Sequence, residues 1–407
     1  MMTSVGPVRP ALEVADILGE HGGAFLARHG GRLSGTQRKA LRDLAVCRTK
    51  ALGGHVERCA DCGYERIAYN SCRNRHCPKC QALARARWLE REAKLLLPVP
   101  YYHVVFTLPA EIAELALANP ALLYGVLFEA ASATLRAVAA NPKRLGAQIG
   151  VLMVLHTWGQ NLHHHPHVHC VCTGGGLSCN EEGEVDQEPS WRWCRPGFFL
   201  PVRVLSRVFR GKYLARLRQL HGTGKLVLPA RLAELKLTEA AAFAAWLRPL
   251  HGKDWVVYAK RPFGGPEQVL KYLARYTHRV AISNARLLKL EEGKVTFRLK
   301  DYADGQRQKQ MTLSAEEFLR RFVQHVLPKG FVKIRHYGLL ANRHRQEKLA
   351  LGRQLLLAAG LQLAAPARKE EAIAAAAPQR CPRCGGCRFV RIELPKEVDV
   401  LSSRDTS

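Results

Sequence analysis

The sequence predicts an α+β fold: a small metal-built module, then strands and helices mixed along the chain, then a basic C-terminal segment. Three observations predict it. Residues 47–80 are rich in Cys, Arg, Asn and Gly and short of apolar residues, so bound metal would have to replace an organic core. Residues 101–174 alternate β-branched and aromatic runs with polar turns and one long apolar stretch at helical spacing. The 407 residues carry 62 Lys+Arg against 34 Asp+Glu, a formal net charge of +28 whose self-repulsion a polyanion would relieve. Nucleic acid is the partner such charge implies. At this length two or three units are expected, and a 47% hydrophobic composition suffices to bury their cores.

Residues 1–46 read as a helical lead-in, with Leu12, Ala15, Ile17, Leu18, Phe25 and Leu26 at apolar positions, followed by a basic helix near Thr36 to Val46. The metal module and a connecting helix occupy 47–100. A third segment, 101–310, opens with the strand "YYHVVFTLPA" (101–110) and an apolar helix over 110–139. Strands over 148–158 and 167–174 follow, joined as a hairpin by the polar "GQNLHHHP". Next come a basic helix from Arg203 to Leu220, a strand at 255–262, and a helix starting in "GGPEQVLKYLARY" with Pro266 at its first position. Paired strands are expected over 286–300. Residues 311–365 form a basic segment, and 366–407 an Ala-rich tether and cysteine tail. No internal repeat is evident. The N-terminus lacks a basic segment followed by an apolar one, so no secretory signal is read. Glu114, Pro120 and Glu129 interrupt the longest apolar run, so no membrane span or membrane partner is expected. The expected location is the cytoplasm, associated with the nucleoid.

Thirteen cysteines in such a compartment read as metal ligands rather than disulfides. "CADCGYERIAYNSCRNRHCPKC" supplies Cys59-x-x-Cys62 and Cys77-x-x-Cys80, each pair able to offer two thiolates from a tight knuckle. The expectation is one Zn²⁺ held by Cys59, Cys62, Cys77 and Cys80. Cys47, His55, Cys72 and His76 make a second set of four in the same segment. Buried cysteines acting as small hydrophobes are the alternative, but their neighbours are polar. Cys381-x-x-Cys384, with Cys387 nearby, looks like half of a ribbon without its partner pair.

"HHHPHVHC" (163–170) packs five of the chain's histidines into eight positions. Alternate residues share a strand face, so His167 and His169 point the same way and form half of a metal site. A polar hairpin tip is the bland reading, but "CVCTGGG" continues the strand beyond them. Further on, "KYLARYTHRVAISN" sets Tyr272 and Tyr276 at i and i+4 on one helix face. Tyrosines so spaced are usually packing residues. Here Lys271, Arg275, His278 and Arg279 make the face cationic, which suits a phosphodiester better than a core.

These motifs together resemble the HUH endonucleases, in which U is a hydrophobic residue, and more closely the two-tyrosine rolling-circle transposases of the insertion-sequence ninety-one family. "FTLPAE" (106–111) is similar to the family's first strand motif, "HPHVHCV" to its HUH strand, and "YLARYTHRVAIS" to its paired tyrosines. "GGHVERCADCGYERIAYNSCRNRHCPKC" resembles its N-terminal zinc-binding region, and "IRHYGLLANRHR" its C-terminal basic motif. The tail cysteines depart from the pattern and look degenerate. The resemblance implies an HUH endonuclease domain, an antiparallel sheet of about five strands carrying the histidines centrally, with the tyrosine helix alongside.

It also implies a transposase that mobilises an insertion sequence, cutting single-stranded DNA at element ends through Tyr272 and Tyr276 and leaving 5′-phosphotyrosine. A phenol with pKa near 10 is only about 0.1% ionised at pH 7, so the site must assist its attack. His167 and His169 are expected to hold Mg²⁺ or Mn²⁺, with Gln160 as third ligand and His156 or His165 as alternatives. His163 and His164 are expected to face solvent or DNA. DNA contacts are assigned to Lys271, Arg275, Arg279, Arg335, Arg343 and Arg345. "HGTGKL" (221–226) has the wrong spacing for a nucleotide loop, so unwinding would fall to a host helicase or the replication machinery. A plasmid rolling-circle initiator or relaxase, and a non-catalytic zinc-dependent DNA-binding regulator, are the alternatives.

Overall fold

A computed structural model describes residues 10–263, 268, 269, 272, 281–301, 304–361 and 380–397. The chain divides into two compact units, one of residues 85–277 and 327–364, the other of residues 1–84, 278–326 and 365–407. The segment expected over 101–310 is shared between these two groupings, residues 278–326 going with the N-terminal unit and 327–364 with the larger one.

The larger unit is built on a five-stranded antiparallel path running, edge to edge, Ile334–Gly338 (β11), Ala147–Trp158 (β4), His164–Ser178 (β5), Tyr101–Thr107 (β3) and Val257–Phe263 (β7). A short strand, β6 (Trp191–Trp193), pairs with the far end of β5. The histidine strand β5 is central, as the sequence implied. On one face Val104, Phe106, Met153, Leu155, Val168 and Cys170 are buried against α4 (Ala110–Ala118), α5 (Pro120–Ala140) and α6 (Val202–Gly222). The single helix expected over 110–139 is two helices, because Pro120 has no N–H with which to continue α4 and instead opens α5. Against expectation, α5 is long and apolar enough to cross a membrane by composition. Its apolar side chains Leu123, Leu127, Phe128 and Leu135 are buried in this core.

The opposite face is apolar at one end, where Leu152, Val154 and Val171 pack with Leu97, Val99, Leu339, Leu349 and Val269. Towards the other end histidines replace the aliphatic residues, so the site sits on a rigid sheet with a packed core beneath it.

In the smaller unit α1 (Val14–His29) is followed by α2 (Gly35–Ala45), whose start is fixed by Ser34 and Gln37 capping each other's backbone N–H at 3.2 and 2.9 Å. Strands β1 (Gly54–Cys59), β2 (Glu65–Tyr69) and β12 (Phe389–Leu394) form a sheet ordered β12-β1-β2. A meander of β8 (Leu287–Glu291), β9 (Lys294–Asp301) and β10 (Arg307–Ser314) runs into the helix Ala315–Val323. The latter explains why 278–326 belongs here: Glu316 pairs with both Arg28 and His29 of α1. The strand pair expected over 286–300 gains a third member in β10. Its residues, "RQKQMTLS", are exposed along most of both faces and carry no apolar alternation to betray a strand.

Candidate functional site

Antiparallel neighbours directly opposite one another share a sheet face. His167 of β5 lies opposite His156 of β4 and Thr107 of β3, and His169 lies opposite Val154 and Val105. His156, His167 and His169 therefore converge, with ligand nitrogens all within 4.8 Å of one another. The His167 and His169 Nε2 atoms are 3.1 Å apart. An octahedral ion with bonds of about 2.1 Å needs adjacent donors about 3.0 Å apart, so the pair fits such an ion.

Tautomer and charge agree with that fit. His167 Nδ1 is 2.7 Å from the His165 carbonyl, which can only accept, so Nδ1 carries the proton and Nε2 turns its lone pair to the cluster. Burial pushes the His167 imidazole down to about 4. Burial first, then neighbouring His156, His167, His103 and Lys260, hold His169 well below its ordinary value. The rings are neutral at pH 7, the form that binds metal.

Gln160, the expected third ligand, stands in the Gly159–Leu162 turn after β4. The residue brought beside the pair is His156, the alternative, because register places it directly across from His167. His163 and His165 are exposed. His164 corrects an expectation, since it turns to the opposite face and meets the Tyr124 hydroxyl of α5 at 2.7 Å.

Sequence reasoning missed His103. Its Nε2 is 2.8 Å from His169 Nδ1 and 3.3 Å from the Tyr272 hydroxyl, and it is buried on β3. Burial, with Lys260 and His167 adding repulsion, pushes His103 down to about 4. Nothing local distinguishes it within "YYHVV"; only its same-face position across from β5 does. Lys260 was missed for the same reason. It is exposed, lies opposite His103 on β7, and shares its face with exposed Tyr258. The structure thus joins Tyr272 to the histidines. Tyr276, Lys271, Arg275, His278 and Arg279 lie outside the described residues.

Eight of the thirteen cysteines fall into two sets, neither of which is the set expected. One is Cys47, Cys72, Cys77 and Cys80; the other is Cys59, Cys62, Cys381 and Cys384. The Cys59 and Cys77 pairs do not meet because the first sits at the tip of the β1–β2 hairpin and the second beyond its base. Six residues of β1 at about 3.3 Å each separate the two ends. Tetrahedral zinc with Zn–S bonds of about 2.3 Å needs sulfurs about 3.8 Å apart. Observed separations are 3.1 Å for Cys47–Cys80, 3.5 Å for Cys72–Cys80, and 3.6 Å for both Cys59–Cys384 and Cys62–Cys381. Hydrogen bonds from Cys72 and Cys77 hold the Cys47 thiol well below its ordinary value, favouring a thiolate there. His55 and His76 are not in either set. His55 lies 3.4 Å from Glu57, and buried His76 is held by Asn74 at 3.1 Å.

Of the three basic residues assigned to DNA in the C-terminal segment, only Arg343 is exposed. The Arg335 guanidinium stacks over the Phe128 ring at 4.3 Å and the Phe331 ring at 5.4 Å. Arg345 donates to the Leu340 carbonyl at 2.9 Å.

Comparison with known proteins finds transposases. Residues 150–348 match the family described as "Putative transposase", and residues 17–108 the "Transposase zinc-binding domain". The chain is 51% identical over 395 residues to "Putative transposase y4qJ" of Sinorhizobium fredii, covering 95% of this chain and 96% of that one. It is 32% identical over 328 residues to the "Transposase for insertion sequence element IS801" of Pseudomonas savastanoi pv. phaseolicola, covering 79% and 74%. No solved structure matches the chain.

Proposed function

The chain belongs to the insertion-sequence ninety-one family of transposases, and we propose that it nicks and rejoins single-stranded DNA at element ends through 5′-phosphotyrosine, moving its element by a rolling-circle route. One observation carries the reading. The Tyr272 hydroxyl stands 3.3 Å from His103, which is bonded to His169 of the three-imidazole cluster. A nucleophile and a cation site must both reach one phosphate, and this arrangement offers both.

In the proposed step the Tyr272 oxygen attacks phosphorus, the bond from phosphorus to the 3′ oxygen breaks, and that oxygen leaves as a free hydroxyl after taking a proton from solvent. The phenol proton is lost to solvent. Mg²⁺ or Mn²⁺ held by His156, His167 and His169 would supply Lewis-acid stabilisation of the phosphate charge. His103 orients both neighbours, the His169 ring and the phenol. Lys260, exposed beside His103, neutralises the phosphate, and Tyr258 offers a ring for an unpaired base to stack on. The phosphotyrosine conserves the energy of the broken bond, so joining to a new 3′ hydroxyl needs no nucleotide. Tyr276 serves as the second nucleophile, which lets one cleaved end be held while another is cut. Strand separation falls to a host helicase or to replication. Zn²⁺ at Cys47, Cys72, Cys77 and Cys80 stabilises the N-terminal module.

The test is cleavage of an end-labelled single-stranded oligonucleotide carrying an element end, with Mn²⁺. The wild-type chain cuts it, and the His167→Ala/His169→Ala double variant binds it but does not cut. Undiminished metal-dependent cutting by that variant would refute the assignment.

A further inference from the structure

We infer that Cys59, Cys62, Cys381 and Cys384 form a second structural zinc site, one that closes the chain by clasping its C-terminal strand to the N-terminal hairpin. The matched zinc-binding domain ends at residue 108 and contains only half of this site. The other half lies more than three hundred residues away, at separations of 319 for Cys62–Cys381 and 325 for Cys59–Cys384.

The two halves are built alike. In "CADCG" the Gly63 N–H donates to the Cys59 carbonyl at 2.9 Å, and in "CPRCG" the Gly385 N–H donates to the Cys381 carbonyl at 2.8 Å. Gly63 has φ +72° and Gly385 φ +76°, left-handed positions where glycine is the unstrained choice. Each Cys-x-x-Cys thus turns in the same tight knuckle, and a strand runs from each: β1 enters the first and β12 leaves the second. β12 pairs with β1 from Gly54↔Leu394 to Cys59↔Phe389, and the Ala60 N–H donates to the Arg388 carbonyl at 2.9 Å. Asp61, inside the first knuckle, accepts from Arg388 Nε at 3.1 Å.

Apolar burial does not account for this attachment. β12 is an edge strand with its central four residues exposed, Val390 at 52% and Ile392 at 39% among them. An exposed strand held by backbone hydrogen bonds and surface side-chain pairs such as Asp61–Arg388 would fray, because exposed ion pairs contribute little. Four free thiols with paired separations of 3.6 Å supply what is missing. That spacing suits thiolates on one tetrahedral ion and is far too long for a disulfide.

The experiment is anaerobic replacement of zinc by Co²⁺ in the full-length chain, reading the thiolate-to-cobalt absorption per chain. Two tetrahedral thiolate-bound equivalents are expected. Cys381→Ser/Cys384→Ser should lose one, Cys59→Ser/Cys62→Ser the same one, and all four changes together no more than either pair. Trypsin should then cut after Arg388 and Arg391 faster in either double variant. A Cys381→Ser/Cys384→Ser chain that keeps the full thiolate-bound content overturns the proposal, as does a wild-type chain with one equivalent. Should the serine variants fail to fold, Cys384→His decides: both equivalents retained with a weaker thiolate band support the site, and an unchanged spectrum refutes it.

Discussion

His103 shows how much of this site depends on a residue that binds neither metal nor DNA in the proposed scheme. With His169 Nε2 turned to the ion, its Nδ1–H needs an acceptor, and His103 Nε2 lies 2.8 Å away. Groups that orient a ligand in this way are typically worth about 10–100-fold in metal affinity. His103→Ala should therefore weaken Mn²⁺ binding by about that factor in electron paramagnetic resonance titrations, while His103→Gln, which keeps an acceptor, recovers part of it. Equal affinity in wild type and His103→Ala would contradict the role. The arginines divide by burial. Arg343→Ala should leave the melting temperature unchanged and reduce the salt slope of single-stranded DNA binding by about 0.7, one phosphate contact. Arg335→Ala should act the other way, destabilising by about 1 kcal/mol through lost stacking on Phe128 and Phe331. A shared effect on the salt slope would show that both face the strand.

At the scale of elements, α5 is tied to the histidine hairpin by the bond from Tyr124 to His164. Tyr124→Phe should cost about 1–3 kcal/mol in urea unfolding, because it strips a buried ring nitrogen of a partner. Burial also pushes His164 down to about 4, below its ordinary 6.5. Protonation then favours the unfolded chain, so this contribution is complete above pH 6.5 and is lost as the pH falls toward 4. Melting of His164→Asn should be less steeply pH-dependent over that window, and an unaltered slope would contradict the assignment. The same elements show what the sequence made legible. β3, β4 and β5 announced themselves by β-branched and aromatic runs bounded by polar turns, and His167 and His169 by their spacing within one of them. His103 could not be read, and His156 could be offered only as an alternative to Gln160, because cross-strand register depends on pairing that local pattern does not encode. The hairpin β1–β2 misled for a related reason. Its cysteine pairs are near in sequence but a strand's length apart in space, while Cys381 and Cys384 return from the far end of the chain.

At the scale of the molecule, a sheet with β5 at its centre holds three imidazoles on one face and a helical core on the other, in a chain of net charge +28. In the proposed scheme such a scaffold fixes where a phosphate sits and leaves the choice of strand to mobile DNA. In that scheme the tyrosine facing this sheet becomes covalently joined to DNA. The direct measurement uses an oligonucleotide that traps the cut intermediate, followed by proteolysis and mass spectrometry of the nucleotide-bearing peptide. The prediction is a nucleotide attached through a 5′ phosphate to Tyr272 or Tyr276, with no adduct in Tyr272→Phe/Tyr276→Phe. An adduct on any other residue, or cutting that leaves no adduct at all, would contradict it.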